Sequence, residues 1–559
     1  MLKQLSLANF KPFEKTEAIR FAPITLIYGP NSSGKSSLIQ SLLLMKQSLQ
    51  RSGDGSLVPR GSHVDLGSYA SLIHRHETSR PLVLGVGFRT GRAQSDGADG
   101  SERRLSLWSH AAELDRDCKL QFAANTQLTG PNDLQRVLMA LRSGGRSTLE
   151  VDLQLVERER VERQRNRTSR VVERVFELAD SDACESMARF LVENQRRSSG
   201  GSDSVSEAPS EATAGSLFFS GRETIEFPFT SGAEESGPIR LADLLRSVEF
   251  ELGAAGLPGV SRNLADILDN CGAVPQPDAA GSTSRPSSAW RPLHSRDMLL
   301  SISADLIQFL ESVTYLGPLR SFPARYYTTS AARQRSVGSD GALVPDVLSQ
   351  RPEVVTSVNH WFRAFDIPYR LDVASLGNAV TGDLLAITLA SQDGTCVAPA
   401  DVGFGISQLL PILVEGRVAE RQTLCVEQPE IHLHPRLQAR LADFFIQSAG
   451  LLPPLQAAGR RPVQFPRDPD IIAAYASQYG VPRNQWIIET HSETLMLRLQ
   501  RRIREGLIQR QDVCVLYVRG TGAGSDIMEL RLDENGEFID EWPDGFFDDG
   551  YQEIYGGGA

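Results

Sequence analysis

Apolar and polar positions alternate from Leu5 to Phe10, which predicts a strand with one buried face. Ile24 to Tyr28 is instead an unbroken apolar run, the pattern of a strand covered on both faces in a parallel sheet. Ser36 to Leu49 follows with apolar residues at helical spacing. From Phe88 to Gly100 the sequence turns to Gly, Ser, Arg and Asp, a loop or a boundary. Beyond it, Ser147–Val156 reads as a strand and the Arg/Glu-rich stretch Val156–Val175 as a helix. Arg197–Gly215, rich in Ser, Glu and Gly, and Gly272–Ser288, rich in Pro, Ser and Ala, have the composition of disordered segments. An apolar-periodic helix is expected over Asp297–Ser312, and strands and helices then alternate to about Leu532. The simplest organisation is one α/β core, residues 1–90 and 297–559, interrupted by a long α+β insertion at 91–296 with disorder near 197–215 and 272–288.

Composition narrows the classes. A chain of 559 residues with 41% hydrophobic and 23% charged residues has core material for two or three domains, which excludes wholesale disorder and a disulfide miniprotein. A net charge of −11 excludes a basic nucleic-acid coat for the chain as a whole. It leaves room for a local patch: seven Arg against four Glu between Val156 and Val175 can track phosphates, or can simply pair along a solvated helix. Six lysines stand against 52 arginines, so a lysine inside a motif stands out. The six cysteines show no CxxC and read as reduced thiols without a zinc module. The N-terminus enters a strand pattern directly, and no apolar run approaches the ~20 residues of a membrane span, so a cytoplasmic protein without a membrane partner is expected. Leu57–His63 has the sequence of a protease-tag scar, but it lies mid-chain and runs into the strand-like Val64–Gly67, and it reads as native.

Five motifs carry chemistry. Gly29-Pro30-Asn31-Ser32-Ser33-Gly34-Lys35-Ser36 is a complete GxxxxGK[ST] loop between a buried strand and a helix. Loop and helix-start amides from Asn31, Ser32, Ser33, Gly34 and Ser37 can cradle phosphate oxygens. Lys35 can reach the β- and γ-phosphates of ATP, and Ser36 can ligate Mg²⁺. Thr423–Glu427 is an apolar strand ending in a carboxylate, the way a Walker B segment presents an acid to the metal's hydration shell. Ile431-His432-Leu433-His434-Pro435 contains a His-x-His pair, for which a structural or dimer-contact turn is preferred over a metal site. Trp486–Glu489 is a buried strand leading to Thr490-His491, where a histidine can touch a γ-phosphate or serve structure alone. Asp401–Gln408 is a glycine-rich loop with Gly405 and Ser407 ahead of the helical Leu409–Gly416, a weak anion-binding signal by itself.

The order of these elements resembles the ABC-type AAA ATPases of the OLD-like group, relatives of SMC and RecF heads. The resemblance covers residues 1–90 and 300–559 and also takes in Tyr315-Leu316-Gly317-Pro318-Leu319-Arg320 and a late Trp542-Pro543-Asp544-Gly545-Phe546-Phe547. It implies a P-loop NTPase fold, an ABC-type head with a mixed sheet. It implies ATP and Mg²⁺ as cofactors, with Ser36 and Glu427 at the metal. It makes Gly405 and Ser407 the signature loop that caps a γ-phosphate across a head-to-head dimer, His491 the switch histidine, and His434 with Pro435 part of the D-loop. One position departs from the pattern: the glutamate that usually polarises the attacking water is Gln428, which cannot accept a proton. Glu430 is the expected substitute base, and slow hydrolysis follows.

Members of the group often stand beside a nuclease or other effector in anti-phage defence. Residues after His491 are few for a nuclease domain, and Arg519–Asp533 reads as a strand pair without clustered carboxylates. A separate effector, a nuclease, is therefore the expected partner besides a second copy of the chain, and DNA is left open as a ligand. The alternatives are an SMC-like DNA-maintenance ATPase, which would need heptad arms that residues 90–296 do not show, and a scaffold locked by ATP without turnover.

Overall fold

The apolar runs become a parallel sheet. In the computed structural model, the described residues are 1–49, 57–90, 116–125, 133–143, 146–164, 167–178, 227–228, 305–328, 332–377, 384–451 and 483–547. The stretches expected to be disordered, 197–215 and 272–288, lie outside them, as does the first half of the helix expected over Asp297–Ser312; residues 305–311 are helical. The chain divides into two compact units, one of residues 1–47, 60–66 and 310–559, the other of 48–59 and 67–309.

The first unit opens with β1 (Leu2–Phe10), β2 (Phe13–Lys15) and β3 (Ile19–Arg20), where β1 pairs antiparallel with both short strands. β4 (Ile24–Tyr28) follows, then the P-loop and α1 (Lys35–Ser48). In the second unit a short α2 (Tyr69–Leu72) precedes an antiparallel succession: β5 (Leu82–Thr90), β6 (Arg116–Asn125), β7 (Asp133–Ser143), β8 (Arg146–Gln164), β9 (Arg167–Leu178) and β10 (Phe227–Pro228).

Val156–Val175 is not a helix; it is the end of β8 and most of β9, registered Val156 with Val175 and Gln164 with Arg167. The strict alternation Leu149, Val151, Leu153, Leu155 continues the period of two into the charged part. The register sets Glu157 opposite Arg174 and Arg158 opposite Glu173. Charges that look like helical i,i+4 partners are thus equally complementary across a ladder, so charge pattern alone could not decide between them.

The first unit resumes with β11 (Val313–Leu316), β12 (Tyr327–Thr328), α3 (Val344–Gln350), α4 (Pro352–Ala364), β13 (Tyr369–Ser375), β14 (Leu384–Ser391), β15 (Cys396–Val397) and α5 (Phe404–Val418). Then come β16 (Thr423–Glu427), α6 (Pro435–Ser448), β17 (Gln485–Glu489), α7 (Glu493–Arg504), β18 (Val513–Thr521) and β19 (Gly524–Leu530). The central sheet runs β11-β16-β17-β4-β18-β19, parallel except for β19 at the edge. All residues of β4, β16 and β17 are buried, which is why these segments read as continuous apolar runs. β12 to β15 form a separate antiparallel sheet.

Two buried amides at the start of β17 knit the unit together. Gln485 exchanges hydrogen bonds with the Leu2 backbone in both directions at 2.7 Å, and Asn484 donates to the carbonyls of Gly416 and Ala419. Each is a polar group held in the core only because its partners are complete. β4 occupies the middle of the sheet, so the loop that leaves its C-terminal end lies in the crevice where parallel α/β sheets place ligands.

Candidate functional site

Strand register builds the site. Glu427 is the last residue of β16 and Glu489 the last of β17; the two are directly paired, and Glu489 is level with Ile27 of β4. The P-loop begins two residues later, at Gly29. Two carboxylates and the phosphate loop therefore meet at one edge of the sheet.

The loop is held tightly. Gly29 has φ +144°, and a Cβ there would lie 2.2 Å from the Val518 carbonyl oxygen; Gly34 has φ +99°, and a Cβ would meet Pro12 at 2.4 Å. Only glycine fits either position. Ser33 accepts a hydrogen bond from the Ser525 hydroxyl at 2.6 Å, and the Ser37 amide donates to Gly34 at 3.0 Å, while Asn31 and Ser32 are exposed. Lys35 opens α1 with its ammonium folded back onto the loop, donating to the carbonyls of Gly29 (3.0 Å) and Pro30 (2.8 Å).

Acids outnumber bases around that ammonium. Lys35 feels Glu489, Glu427 and Glu430, which oppose the burial that lowers its pKa. Burial first, then the neighbouring Glu489 carboxylate, pushes Glu427 up to about 7; a hydrogen bond donated by Tyr315 at 3.1 Å and the Lys35 charge only partly offset this. Burial likewise raises Glu489, although the Ser36 hydroxyl bonds it, and one of its oxygens has no hydrogen-bond partner. Glu430 is raised by burial; one oxygen accepts the His491 amide at 2.7 Å and the other is unpartnered. Like charges gathered in a low-dielectric site protonate or take up a cation. A hydroxyl with one or two carboxylates, the remaining positions left to phosphate and water, is the donor set Mg²⁺ accepts, so Ser36, Glu427 and Glu489 fit that ion. Among the described residues no group of three or more His, Cys, Asp or Glu forms a metal cage of its own.

Gln428 sits in the left-handed region at φ +44°, its amide donating to the Glu489 carbonyl at 2.7 Å. That bond ties the ends of β16 and β17 and holds the turn before Glu430. A non-glycine residue in this region is strained, and such strain clusters at functional turns. The imidazole of His491 has its pKa lowered by burial and by Lys35, and its Nε2 is buried without a hydrogen-bond partner.

The structure thus gathers Lys35, Ser36, Glu427, Glu430 and His491, with Gln428 as the hinge of the turn. Gly405 and Ser407 have another neighbourhood. They do not precede the helix as a loop; α5 starts at Phe404, one turn earlier than its apolar spacing suggested, because Gly403 serves as its N-cap. Ser407 is buried and donates to the Pro399 carbonyl at 3.4 Å. A Cβ on Gly405 would lie 2.7 Å from the His432 carbonyl oxygen, and the Phe404 ring lies against the His432 ring at 4.8 Å. The two histidines of the His-x-His turn separate: His432 faces Phe404, and His434 caps α6 by accepting from the Arg436 amide at 3.2 Å.

Sequence reasoning missed three contributors. Glu489 was inside a recognised motif, yet its role depends on register with Glu427. Tyr315 and Arg320 lay in the recognised Tyr315–Arg320 segment without an assigned part. Arg320 is 5% exposed, donates through Nη2 to the Glu427 carbonyl at 3.0 Å, and leaves Nε and Nη1 without hydrogen-bond partners. Burial lowers its pKa to about 10 against the opposing charge of Glu430.

Residues 4–57 match a family described as an AAA domain. Residues 274–497 match a second AAA-domain family, whose description also names the AbiEii toxin of type IV toxin–antitoxin systems. The chain carries an AAA-type P-loop ATPase domain. Residues 508–554 match a family described as a protein of unknown function, DUF3696. No curated protein matches. Solved structures that match include the SMC head domain from Thermotoga maritima (10% identity, TM-score 0.33, 95% of this chain and 99% of that one). Another is the Smc head domain of Pyrococcus furiosus with an extended coiled coil, bound to the C-terminal domain of ScpA (10%, 0.32, 95% and 96%). A third is the Smc head of Pyrococcus yayanosii with a coiled coil and joint (10%, 0.34, 96% and 98%). Among the described residues, no helix is long and apolar enough to cross a membrane.

Proposed function

We propose that the chain is an ATPase of the ABC-type, OLD-like group that binds ATP with Mg²⁺, pairs head to head with a second copy, and thereby controls a separate effector. The observation that carries this reading is the level pairing of Glu427 with Glu489 beside Lys35 and Ser36, a site with surplus negative charge around one ammonium. Lys35 swings from its own loop carbonyls to the β- and γ-phosphates. Ser36 and Glu427, with Glu489, hold the Mg²⁺, which when bound neutralises phosphate charge. Gln428 orients the attacking water and Glu430, through its unpartnered oxygen, accepts the proton. His491 meets the terminal phosphate. Gly405 and Ser407 act on the nucleotide of the other copy.

The effector reading, a nuclease in DNA surveillance or anti-phage defence, draws support from the AbiEii toxin named in the second family's description. Gln428 favours one second reading, a scaffold locked by ATP without turnover. Both are tested on the purified full chain by ATP turnover and light scattering with Mg²⁺ or EDTA. The ATPase reading expects slow, Mg²⁺-dependent turnover and an ATP-dependent rise in mass, both absent in Lys35→Ala. A rise in mass with zero turnover selects the scaffold, and Lys35→Ala with unchanged ATP affinity refutes the site. For the effector, a nuclease encoded beside this chain should respond to ATP only when Lys35 is intact.

A further inference from the structure

Trp542–Phe547, within the C-terminal segment that matches a family of unknown function, pack beside the strand that leads into the P-loop. Trp542, Phe546 and Phe547 pack as a three-ring cluster, with Trp542 and Phe547 centroids 4.5 Å apart and Phe546 and Phe547 4.9 Å apart. All three rings face Tyr28, the last residue before the P-loop, at 5.3, 6.1 and 5.6 Å. Tyr28 is fully buried and donates its hydroxyl to the Ser492 carbonyl at 2.9 Å, so the residue the cluster packs on links the strand that launches the P-loop to the turn that follows His491. Phe546 then lies beside the His491 ring in an offset, near-parallel arrangement, centroids 6.1 Å apart and planes 28° from parallel. The His491 backbone amide donates to Glu430 at 2.7 Å. The imidazole thus has its main chain held by one element and an aromatic ring of another beside it.

We propose that Trp542–Phe547 is a built-in part of the ATPase site, in which Phe546 is a positioning residue that holds the His491 ring where it meets the terminal phosphate. This rests on the reading of His491 given above. A single ring face is enough to choose an imidazole orientation, because offset and stacked aromatic contacts are geometrically selective. Trp542 stacks on Phe546 with centroids 5.8 Å apart, so movement of His491 on nucleotide binding is passed to an indole. Coupling of this kind is reciprocal: what the nucleotide does to the tail, the tail does to the site.

The test uses the full chain with Phe546→Leu, Phe546→Tyr, His491→Ala and Trp542→Phe. Leucine and tyrosine both preserve apolar bulk, but only tyrosine keeps a ring face, so a purely structural plug would accept either. Phe546→Leu is expected to slow single-turnover hydrolysis by roughly 10–100-fold, the scale on which misplacing a catalytic group acts, with ATP affinity within about twofold. Phe546→Tyr should retain the wild-type rate. ATP should change tryptophan emission in wild type and not in Trp542→Phe. Equal rates for Phe546→Leu and wild type, while His491→Ala is slow, would overturn the proposal and leave the histidine reading standing. If His491→Ala itself hydrolyses at the wild-type rate, both fall. An emission change that survives in Trp542→Phe would remove the tail from the signal path and overturn its coupling.

Discussion

Replacing Glu427 with glutamine should stabilise the nucleotide-free protein in a pH-dependent way. Glu427 is 8% exposed and its pKa rises from the ordinary 4.5 to about 7, chiefly through burial and then through Glu489. A folded-state pKa above the unfolded one means that the folded chain holds more protons between those values. Stability therefore falls as pH rises from about 4.5 to about 7, and the deficit is complete above that window. At 1.36 kcal/mol per tenfold change in proton affinity, the deficit is about 3 kcal/mol. Glutamine keeps the shape, can still hydrogen-bond Tyr315, and carries no charge. Glu427→Gln should accordingly gain about 3 kcal/mol over wild type at pH 8 and much less near pH 5. Urea unfolding in EDTA without nucleotide, followed by tryptophan emission at both pH values, measures the difference through the midpoint at constant slope. Glu489→Gln should narrow the gap between the two proteins, because it removes the second cause of the shift. A wild type that gains stability relative to Glu427→Gln as pH rises would refute the argument, as would equal gains at pH 5 and pH 8.

Glu430→Gln should lower single-turnover hydrolysis by about 10²–10⁴-fold, the usual worth of a general base, whereas Gln428→Glu should raise it; a wild-type rate that ignores Glu430→Gln would remove Glu430 from that role. Mixing Lys35→Ala chains with Ser407→Arg chains should restore one composite site per dimer, read as turnover above either mutant alone; no such gain would count against action in trans. Gly405→Ala should cost about 1–3 kcal/mol by overpacking against the His432 carbonyl, measured as a lower denaturation midpoint, and an unchanged midpoint would show that the turn can yield.

How much of this was legible in the sequence follows from which interactions are local. The P-loop was fully legible, since its glycines, lysine and serine answer to a turn and a helix start within one short segment. β4 was legible to the residue, because a strand buried on both faces leaves an unbroken apolar run. The rest needed partners distant in the chain. Glu489 became part of the site only when parallel pairing set it level with Glu427, and no local pattern encodes which strand lies beside which. Val156–Val175 read as a helix because pairing of opposite charges satisfies two periodicities, and the ladder between β8 and β9 chose one. The aromatic tail carried no assigned role in the sequence; its placement beside Tyr28 and His491 follows from where β18, β19 and the turns after them deliver the chain. The sequence by itself determined the elements and the chemistry each carries, because helix, strand and phosphate loop depend on neighbours a few residues away. Tertiary structure alone decided which acids share one charge environment, because burial and strand register set their proton affinities.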